Sequence, residues 1–396
     1  MSPWHKRDPY LSGQASFLPK YMKSPQVTVI IPTYNERENI VSLVSEIEVA
    51  LLGVDWSIIF VDDNSSDGTI LEIERAIRLN KRIEGVLRKG VRGLSGAVLT
   101  GLIYTRSPYV AVMDADLQHN PNLLKKMLHG LETNPSKQVA LASRYLEGGG
   151  DVGDGLTNMR HVGSRVFTKI AQLLIAKNVT DPMSGFFMVR RELFLRLSPK
   201  LSHHGYKILL DLVSWLKVKD VILEYPLIFR VRKSGESKMD FRVVWECVVV
   251  LISKSTYNIL PKHFLSLLMV GLTGLLVHLA ILFLLFKVLG ESFAFSQILA
   301  TAIATLNNFL FNNFLTCRGS SLGGFWLTLF SCLKFLVICG FGVFVSYVIA
   351  DYSMSLGAIW IVAGCFGAIV AAGWNYSFAK FLILCLQKPE IVWLRR

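Results

Sequence analysis

Charge is scarce in this sequence: 18% of its 396 residues are Asp, Glu, Lys or Arg, against 52% hydrophobic. That is not the balance of an ordinary soluble globule or of a disordered chain. The shortage is uneven. From His263 to Arg396 there are seven Lys or Arg and three Asp or Glu, which leaves 35 basic and 26 acidic residues in the first 262. Paired cysteines are also lacking. Cys247, Cys317, Cys332, Cys339, Cys365 and Cys385 lie in or beside the apolar region, with no C-x-x-C pair; this argues against a disulfide scaffold or a thiolate metal site. Residues 1–25 have no apolar leader core and read as a surface-lying extension, with Trp4, Tyr10, Phe17 and Tyr21 able to touch a membrane interface. No Gly-x-Gly-x-x-Gly follows the first strand, and no Gly-x-x-x-x-Gly-Lys-Ser/Thr occurs, so dinucleotide oxidoreductases and P-loop NTPases lose their main support. The net charge of +13 is too dispersed to point to nucleic acid and better fits anionic headgroups or a phosphorylated lipid.

What is present divides the chain. From Gln26, β-branched runs at 27–31, 56–61, 84–88, 109–113 and 138–143 alternate with amphipathic stretches near Arg37–Leu51, Gly68–Leu79, Gly93–Tyr104 and Pro121–Leu131. This alternation predicts an α/β domain with a mostly parallel, Rossmann-like sheet, whose ligands bind beyond the carboxyl ends of the strands. A Gly-rich stretch at 146–155, a helix near 159–176 and strand-like pieces at 186–190 and 220–231 follow. The expected organisation is an N-terminal extension at 1–25, a catalytic domain at 26–240, an interfacial helical connector at 241–263 and an all-α transmembrane domain at 264–396. Its four expected spans run roughly Phe264–Leu289, Phe293–Leu315, Phe325–Ala350 and Leu356–Leu386. Glu291 and Asp351 mark one side, whereas Arg318, Lys388, Arg395 and Arg396 mark the other. That asymmetry predicts the catalytic domain and both termini in the cytoplasm.

Three polar motifs fall at expected strand ends. VMDADLQH at 112–119 ends a buried strand in Asp114 and Asp116, with Gln118 behind. Residues two apart on an extended chain share a face, so these oxygens can converge on a hard cation, Mg²⁺ or Mn²⁺, with a diphosphate as its partner. The alternative is a cap for the helix that starts near Pro121. IIPTYNERENI at 30–40 runs a strand into Pro32, Tyr34 and Glu36, and FVDDNSSDGT at 60–69 runs another into Asp62 and Asp63. Two consecutive carboxylates there fit a nucleoside; a single one would more simply cap the next helix.

With RGLSGAV (92–98), MDADLQHNP (113–121), SRYLEGG (143–149), DPMSGFFMVRRE (181–192), GYKILLDL (205–212) and RVRKSGESK (230–238), the three motifs cover most of residues 26–240. Together they resemble the inverting nucleotide-sugar glycosyltransferases of family two, of GT-A fold, and within it the branch that mannosylates dolichyl phosphate. The membrane half resembles the GtrA-like four-helix domain. The resemblance implies a donor site at Pro32, Tyr34, Glu36, Val61, Asp63, Asp114, Ala115, Asp116 and Gln118, closed by Arg232 and Lys238. It implies a metal, Mg²⁺ or Mn²⁺, at Asp114, Asp116 and Gln118, and an acceptor phosphate at Arg144, Arg160 and Ser164. Asp114, Asp116, Arg144 and Arg160 carry the catalysis it implies. The expected substrates are GDP-mannose and dolichyl phosphate, with UDP-glucose or another nucleotide sugar as the alternative donor. Two positions depart from the pattern: Ser66 replaces a usual Pro, and Ser234 stands where a basic residue is more usual.

The chemistry agrees with this reading. A lipid phosphate is already anionic at neutral pH and attacks without a general base, so catalysis is mainly electrostatic. Competing roles are structural: Arg160 and Arg165 snorkelling to a bilayer, DPMSGFF as a turn in place of a loop whose Ser184 and Gly185 line the pocket, His119 as a core residue, GESKM as an exposed turn in place of a lid. In the membrane half, Lys334, Asn307, Asn308, Asn312, Asn313 and Asn375 read as inter-helix hydrogen-bonding groups ahead of a lipid-headgroup path, and translocation of a glycolipid is a remote alternative. A processive synthase would show Gln-x-x-Arg-Trp after the Asp pair, and none occurs.

Overall fold

The computed structural model describes residues 24–89, 92–151, 168–172, 179–201, 208–216, 221–230, 262–316, 324–383 and 390–394, with isolated residues between 245 and 253. It divides into two compact units, Met1–Ser255 with Glu390–Arg396, and Thr256–Pro389.

In the first unit the strands are β1 (Val27–Thr33), β2 (Trp56–Asp62), β3 (Ile83–Lys89), β4 (Tyr109–Val112), β5 (Val139–Ser143), β6 (Gly150–Asp151), β7 (Phe187–Arg190), β8 (Ile222–Pro226), β9 (Ile228–Phe229) and β10 (Glu390–Leu394). The helices are α1 (Ile40–Ala50), α2 (Thr69–Leu79), α3 (Leu94–Tyr104), α4 (Leu123–Thr133), α5 (Arg191–Leu197) and α6 (Ile208–Val213). Eight strands form one sheet in the order β10-β3-β2-β1-β4-β7-β5-β8. β3, β2, β1 and β4 are mutually parallel, β5 and β8 are parallel, and β7 runs antiparallel to both β4 and β5.

Successive β1 side chains point to opposite faces, and both faces are covered. Val27, Val29 and Ile31 join a core with α1 (Ile40, Leu43, Ile47), α2 (Ile73, Ile77) and α4 (Leu124, Met127, Leu131). Ile30 joins a second core with α3 (Ala97, Val98, Leu102), α5 (Leu193, Phe194) and α6 (Leu209, Leu212). Each such fully buried side chain contributes about 1.5–3 kcal/mol by leaving water. α3 lies close against β1 because residue 101 is Gly: a Cβ there would stand 2.7 Å from Ile30 Cγ2.

The strand expected at 220–231 is two pieces broken at Leu227, because β9 leaves the main sheet to pair with β6. β10 has no counterpart in the expected organisation. The last residues, assigned by sequence to the membrane domain, lie antiparallel to β3 with Glu390 opposite Lys89 and Leu394 opposite Gly85. The β3 edge would otherwise present an unpaired row of backbone groups, and the tail supplies their partners.

Among its described residues the second unit holds four long helices: α7 (Lys262–Leu282), which continues through a π-helical turn at Phe283–Val288, α8 (Phe293–Thr316), α9 (Gly324–Ser355) and α10 (Trp360–Ile383). Among the described residues two stretches, Leu268–Val288 and Phe293–Phe311, are long and apolar enough to cross a membrane. Polar side chains link the helices. Gln297 Nε2 of α8 donates to Ser346 Oγ of α9 at 3.1 Å, with Thr301 Oγ1 3.2 Å from the same oxygen. Gly367 of α10 makes room for them, since a Cβ there would lie 2.8 Å from Gln297 Nε2. Asn308 is seated the same way against Gly274 of α7. Small residues and shared amides are the means by which helices associate where apolar burial offers little advantage.

Candidate active site

The carboxyl ends of β1, β2 and β4 lie side by side, with Thr33 opposite Asp62 and Ile30 opposite Val112. Each expected motif begins where its strand stops. After β1 the chain turns at Asn35, whose φ of 55° places a non-Gly residue in the left-handed region. Asn35 meets the β2 turn reciprocally: its N–H donates to Ser65 Oγ at 2.9 Å, and its Oδ1 accepts from the Ser66 N–H at 3.0 Å. Ser66, the departure from the family pattern, thus enters this turn through a backbone N–H that Pro lacks.

The two carboxylates after β2 separate in role. Asp62 is fully buried and faces inward: it accepts from Thr33 Oγ1 (3.1 Å), the Ser65 N–H (2.8 Å) and Ser65 Oγ (2.6 Å), which closes the turn. Asp63 is turned toward β3. Its Oδ1 lies 2.9 Å from Arg88 and its Oδ2 accepts from the Gly93 N–H at 2.7 Å. Burial pushes the Asp63 carboxyl up to about 6, against the opposing pull of Arg88 and the Gly93 N–H. Val61 is buried, whereas Pro32, Tyr34 and Glu36 are partly exposed. Arg92 stacks over the Tyr34 ring at 4.2 Å.

At the end of β4, Asp114 is partly exposed, while Ala115 and Asp116 are buried. Asp116 Oδ1 accepts from the Gln118 N–H at 3.2 Å, across Leu117, which has φ of 62°. A non-Gly residue there stores local strain, of order 1–3 kcal/mol. The turn is fixed from outside: the Gln118 side chain donates to the Arg230 carbonyl at 3.1 Å, the Arg230 N–H donates to the Gln118 carbonyl at 3.0 Å, and Arg230 pairs with Glu46 of α1 at 2.7 Å. His119 is buried beneath the motif. Its Nδ1 accepts from the Asp114 N–H at 3.3 Å, and its ring stacks on Phe186 at 5.2 Å and meets Phe229 edge-on at 5.5 Å. Opposite Asp114 stands Gly185, where a Cβ would come 2.5 Å from Asp114 Oδ2. This clearance and an all-oxygen donor set of Asp114, Asp116 and the Gln118 amide oxygen fit a hard divalent cation.

Arg144 follows β5. Its Nε and one terminal nitrogen pair with the fully buried Asp181 at 2.8 and 3.2 Å, a bidentate geometry that fixes the guanidinium plane. Arg144 also lies over Phe229 at 5.7 Å, so the Phe229 ring touches both Arg144 and the His119 beneath Asp114. The structure thus sets Pro32, Tyr34, Glu36, Val61, Asp63, Asp114, Ala115, Asp116, Gln118 and Arg144 along one edge of the sheet, at the carboxyl ends of β1, β2, β4 and β5. Arg160, Ser164, Arg232 and Lys238 lie outside the described residues. Four anchors were not singled out by sequence reasoning: Arg88, Asp181, Arg230 and Phe229. Arg88 carried the one usable signal, a charge inside the run EGVLR of a buried strand.

Residues 28–197 match the family model for glycosyl transferase family 2, and residues 267–384 match that for the GtrA/DPMS transmembrane domain. A dolichol-phosphate mannosyltransferase of Pyrococcus furiosus is 31% identical over 355 residues, which cover 89% of this chain and 97% of that protein. The protein of the same name from Saccharomyces cerevisiae is 33% identical, covering 56% of this chain and 84% of its own length. A polyprenol monophosphomannose synthase of Mycolicibacterium smegmatis is 32% identical, covering 53% and 80%. Among solved structures, glucosyl-3-phosphoglycerate synthase from Mycobacterium tuberculosis with Mn²⁺, UDP-glucose and phosphoglyceric acid matches with a TM-score of 0.46 and 21% identity, over 59% of this chain and 80% of that one. On its match to relatives at 31–33% identity, one of them aligned almost end to end, the chain belongs to glycosyl transferase family 2, in the group of the dolichol-phosphate mannosyltransferases.

Proposed function

We propose that the protein transfers mannose from GDP-mannose to dolichyl phosphate or a related polyprenyl phosphate, with inversion, at the cytoplasmic face of a membrane. The observation that carries this reading is that Asp63, Asp114, Asp116 and the Asp181-fixed Arg144 follow the carboxyl ends of β2, β4 and β5 at one edge of the sheet, in a chain aligned almost throughout with a dolichol-phosphate mannosyltransferase. Asp63 accepts from the N–H edge of the base. Asp114, Asp116 and Gln118 hold Mg²⁺ or Mn²⁺, which when bound neutralises charge on the leaving diphosphate. Arg144, with Arg160 and Ser164, receives the acceptor phosphate, and Arg232 and Lys238 close over the donor. A phosphate oxygen of the lipid forms the new bond to the anomeric carbon as the bond to the diphosphate oxygen breaks, and its electron pair leaves on GDP. No proton needs to be removed from the nucleophile, so no general base is required. The test uses membranes containing the full chain, dolichyl phosphate and either radiolabelled GDP-mannose or UDP-glucose. Transfer from GDP-mannose is expected; transfer from UDP-glucose alone would overturn the donor assignment.

The chain topology supports the even number of spans in this reading. The chain leaves the catalytic unit after Ser255 and β10 re-enters its sheet beside β3, so the intervening segment starts and ends on one side of the membrane. A membrane-impermeant label is expected to reach a cysteine appended after Arg396 from the same side as one introduced at exposed Leu79. Labelling from opposite sides would exclude the four-span arrangement.

A further inference from the structure

Of the buried charge pair at the β2–β3 end, Asp63 has a role in the function just described and Arg88 has none. Arg88 and Asp63 have side chains only 4% and 9% exposed. They do more than pair. The same Arg88 nitrogen that faces Asp63 donates to the Gly93 carbonyl at 3.2 Å, while Asp63 Oδ2 takes the Gly93 N–H at 2.7 Å. One peptide unit on each side of Gly93 is therefore held by the pair, and Gly93 itself has φ of 147°, a conformation that favours glycine. The next residue back is Arg92, stacked on Tyr34. A buried pair of this kind contributes little net stability, because desolvating both charges offsets their attraction. Its effect lies in which state it selects: it keeps a desolvated carboxylate charged and in one orientation.

We propose that Arg88 is a positioning residue of the donor pocket: by clamping Asp63 and Gly93 it holds the Asp63 carboxylate, in its ionised form, ready to accept the ring N–H edge of the donor's nucleobase. This rests on the reading of Asp63 as the nucleobase acceptor. Among the described residues the charged groups facing Asp63 are few. Arg88 and Arg92 favour its ionised form and neighbouring Asp62 opposes it. The β1 end offers only the Thr33 carbonyl, which accepts the Asp63 N–H at 3.0 Å, and α3 carries no charged residue. With its carboxyl already raised to about 6, Asp63 has little margin at neutral pH. A protonated Asp63 would present a donor where the base also presents one.

The experiment is the pH profile, from 5 to 9, of kcat/KM for GDP-mannose with the full chain in membranes. Its variants are Arg88→Met, Arg88→Lys, Asp63→Asn and the double variant Arg88→Met/Asp63→Asn. In the unmodified protein the acid limb is expected near 6. Arg88→Met moves that limb upward by about one pH unit or more and raises the donor KM about tenfold at pH 7. Raising the pH to 9 recovers much of that loss, and kcat at saturating donor changes little. Arg88→Lys keeps the charge and falls between. Asp63→Asn removes the limb, and the double variant, which leaves no unpaired buried charge, has the same flat profile. An acid limb that stays in place in Arg88→Met or Arg88→Lys, while Asp63→Asn abolishes it, overturns the positioning role and leaves the Asp63 reading intact. A normal donor KM and an unaltered limb in Asp63→Asn overturn both.

Discussion

Asp116→Ala should reduce metal-dependent sugar transfer by about 10³-fold or more while the protein keeps its melting temperature to within a few degrees. The effect on rate is large because Asp116 has two tasks at one point of the chain. Its Oδ1 accepts the Gln118 N–H across the left-handed Leu117, so losing it relaxes the turn that presents both Asp116 and Gln118 to a cation. On the proposed reading its second oxygen is a charged ligand that alanine cannot replace. The effect on stability is small because the turn is held from outside, through the Gln118–Arg230 backbone exchange and the Arg230–Glu46 pair. Isothermal titration of Mn²⁺ with GDP into the purified protein supplies the second reading: cation binding is lost while nucleotide binding without metal persists. Activity within tenfold of the parent would remove Asp116 from the cation site.

The sheet strands were legible where their physics is local. Strands buried on both faces spell continuous apolar runs, and β1, β2 and β4 stop within two residues of the expected positions: β1 runs through Pro32 to Thr33, β2 takes in Asp62 and stops before Asp63, and β4 ends at Val112 shortly before Asp114. β10 was not legible. Residues 391–394 read Ile-Val-Trp-Leu directly after an apolar helix, and only the unpaired β3 edge, hundreds of residues earlier, turns that tail into a strand. The candidate site divides along the same line. Asp63, Asp114 and Asp116 stand at strand ends and announce themselves, whereas the groups that orient them come from distant segments: Arg88 for Asp63, Gly185 for Asp114, Asp181 for Arg144. A single sequence records which side chains exist and not which ones meet, so the strand-end pattern by itself did not separate Asp62 from Asp63, and only the family resemblance singled out Asp63. In the membrane half, Asn308 packs against Gly274 but its Oδ1 makes no hydrogen bond among the described residues, so the expected inter-helix hydrogen bond is not made there; Gln297 and Ser346, buried and bonded to each other, passed unnoticed because nothing in helical spacing marks a polar residue as inward-facing.

Asp181→Ala should have the second large effect, on both activity and folding. Asp181 is fully buried and takes the Arg144 guanidinium on both oxygens, at 2.8 and 3.2 Å; its backbone carbonyl also accepts the Ser184 N–H at 3.2 Å, at the entry to the Gly185 turn. Removing one partner of a buried pair costs about 3–5 kcal/mol, because the other charge is left without compensation. Asp181→Asn is the discriminating variant. It keeps the size of the side chain and one acceptor oxygen, but replaces the other acceptor with an NH₂ that cannot accept from the guanidinium. Because two donors of Arg144 are committed to Asp181, this carboxylate sets the guanidinium plane, and on the proposed reading that is the plane in which Arg144 receives the lipid phosphate. The expected result for Asp181→Asn is a KM for a soluble prenyl phosphate raised about tenfold or more, with the KM for GDP-mannose changed less than twofold, since Asp63 and the turn after β4 make no hydrogen bond to Asp181 among the described residues. Initial-rate measurements with each substrate varied in turn separate the two constants. Equal increases in both would mean that Asp181 supports the fold of the whole pocket, and an unchanged acceptor KM would mean that Arg144 does not receive the lipid phosphate.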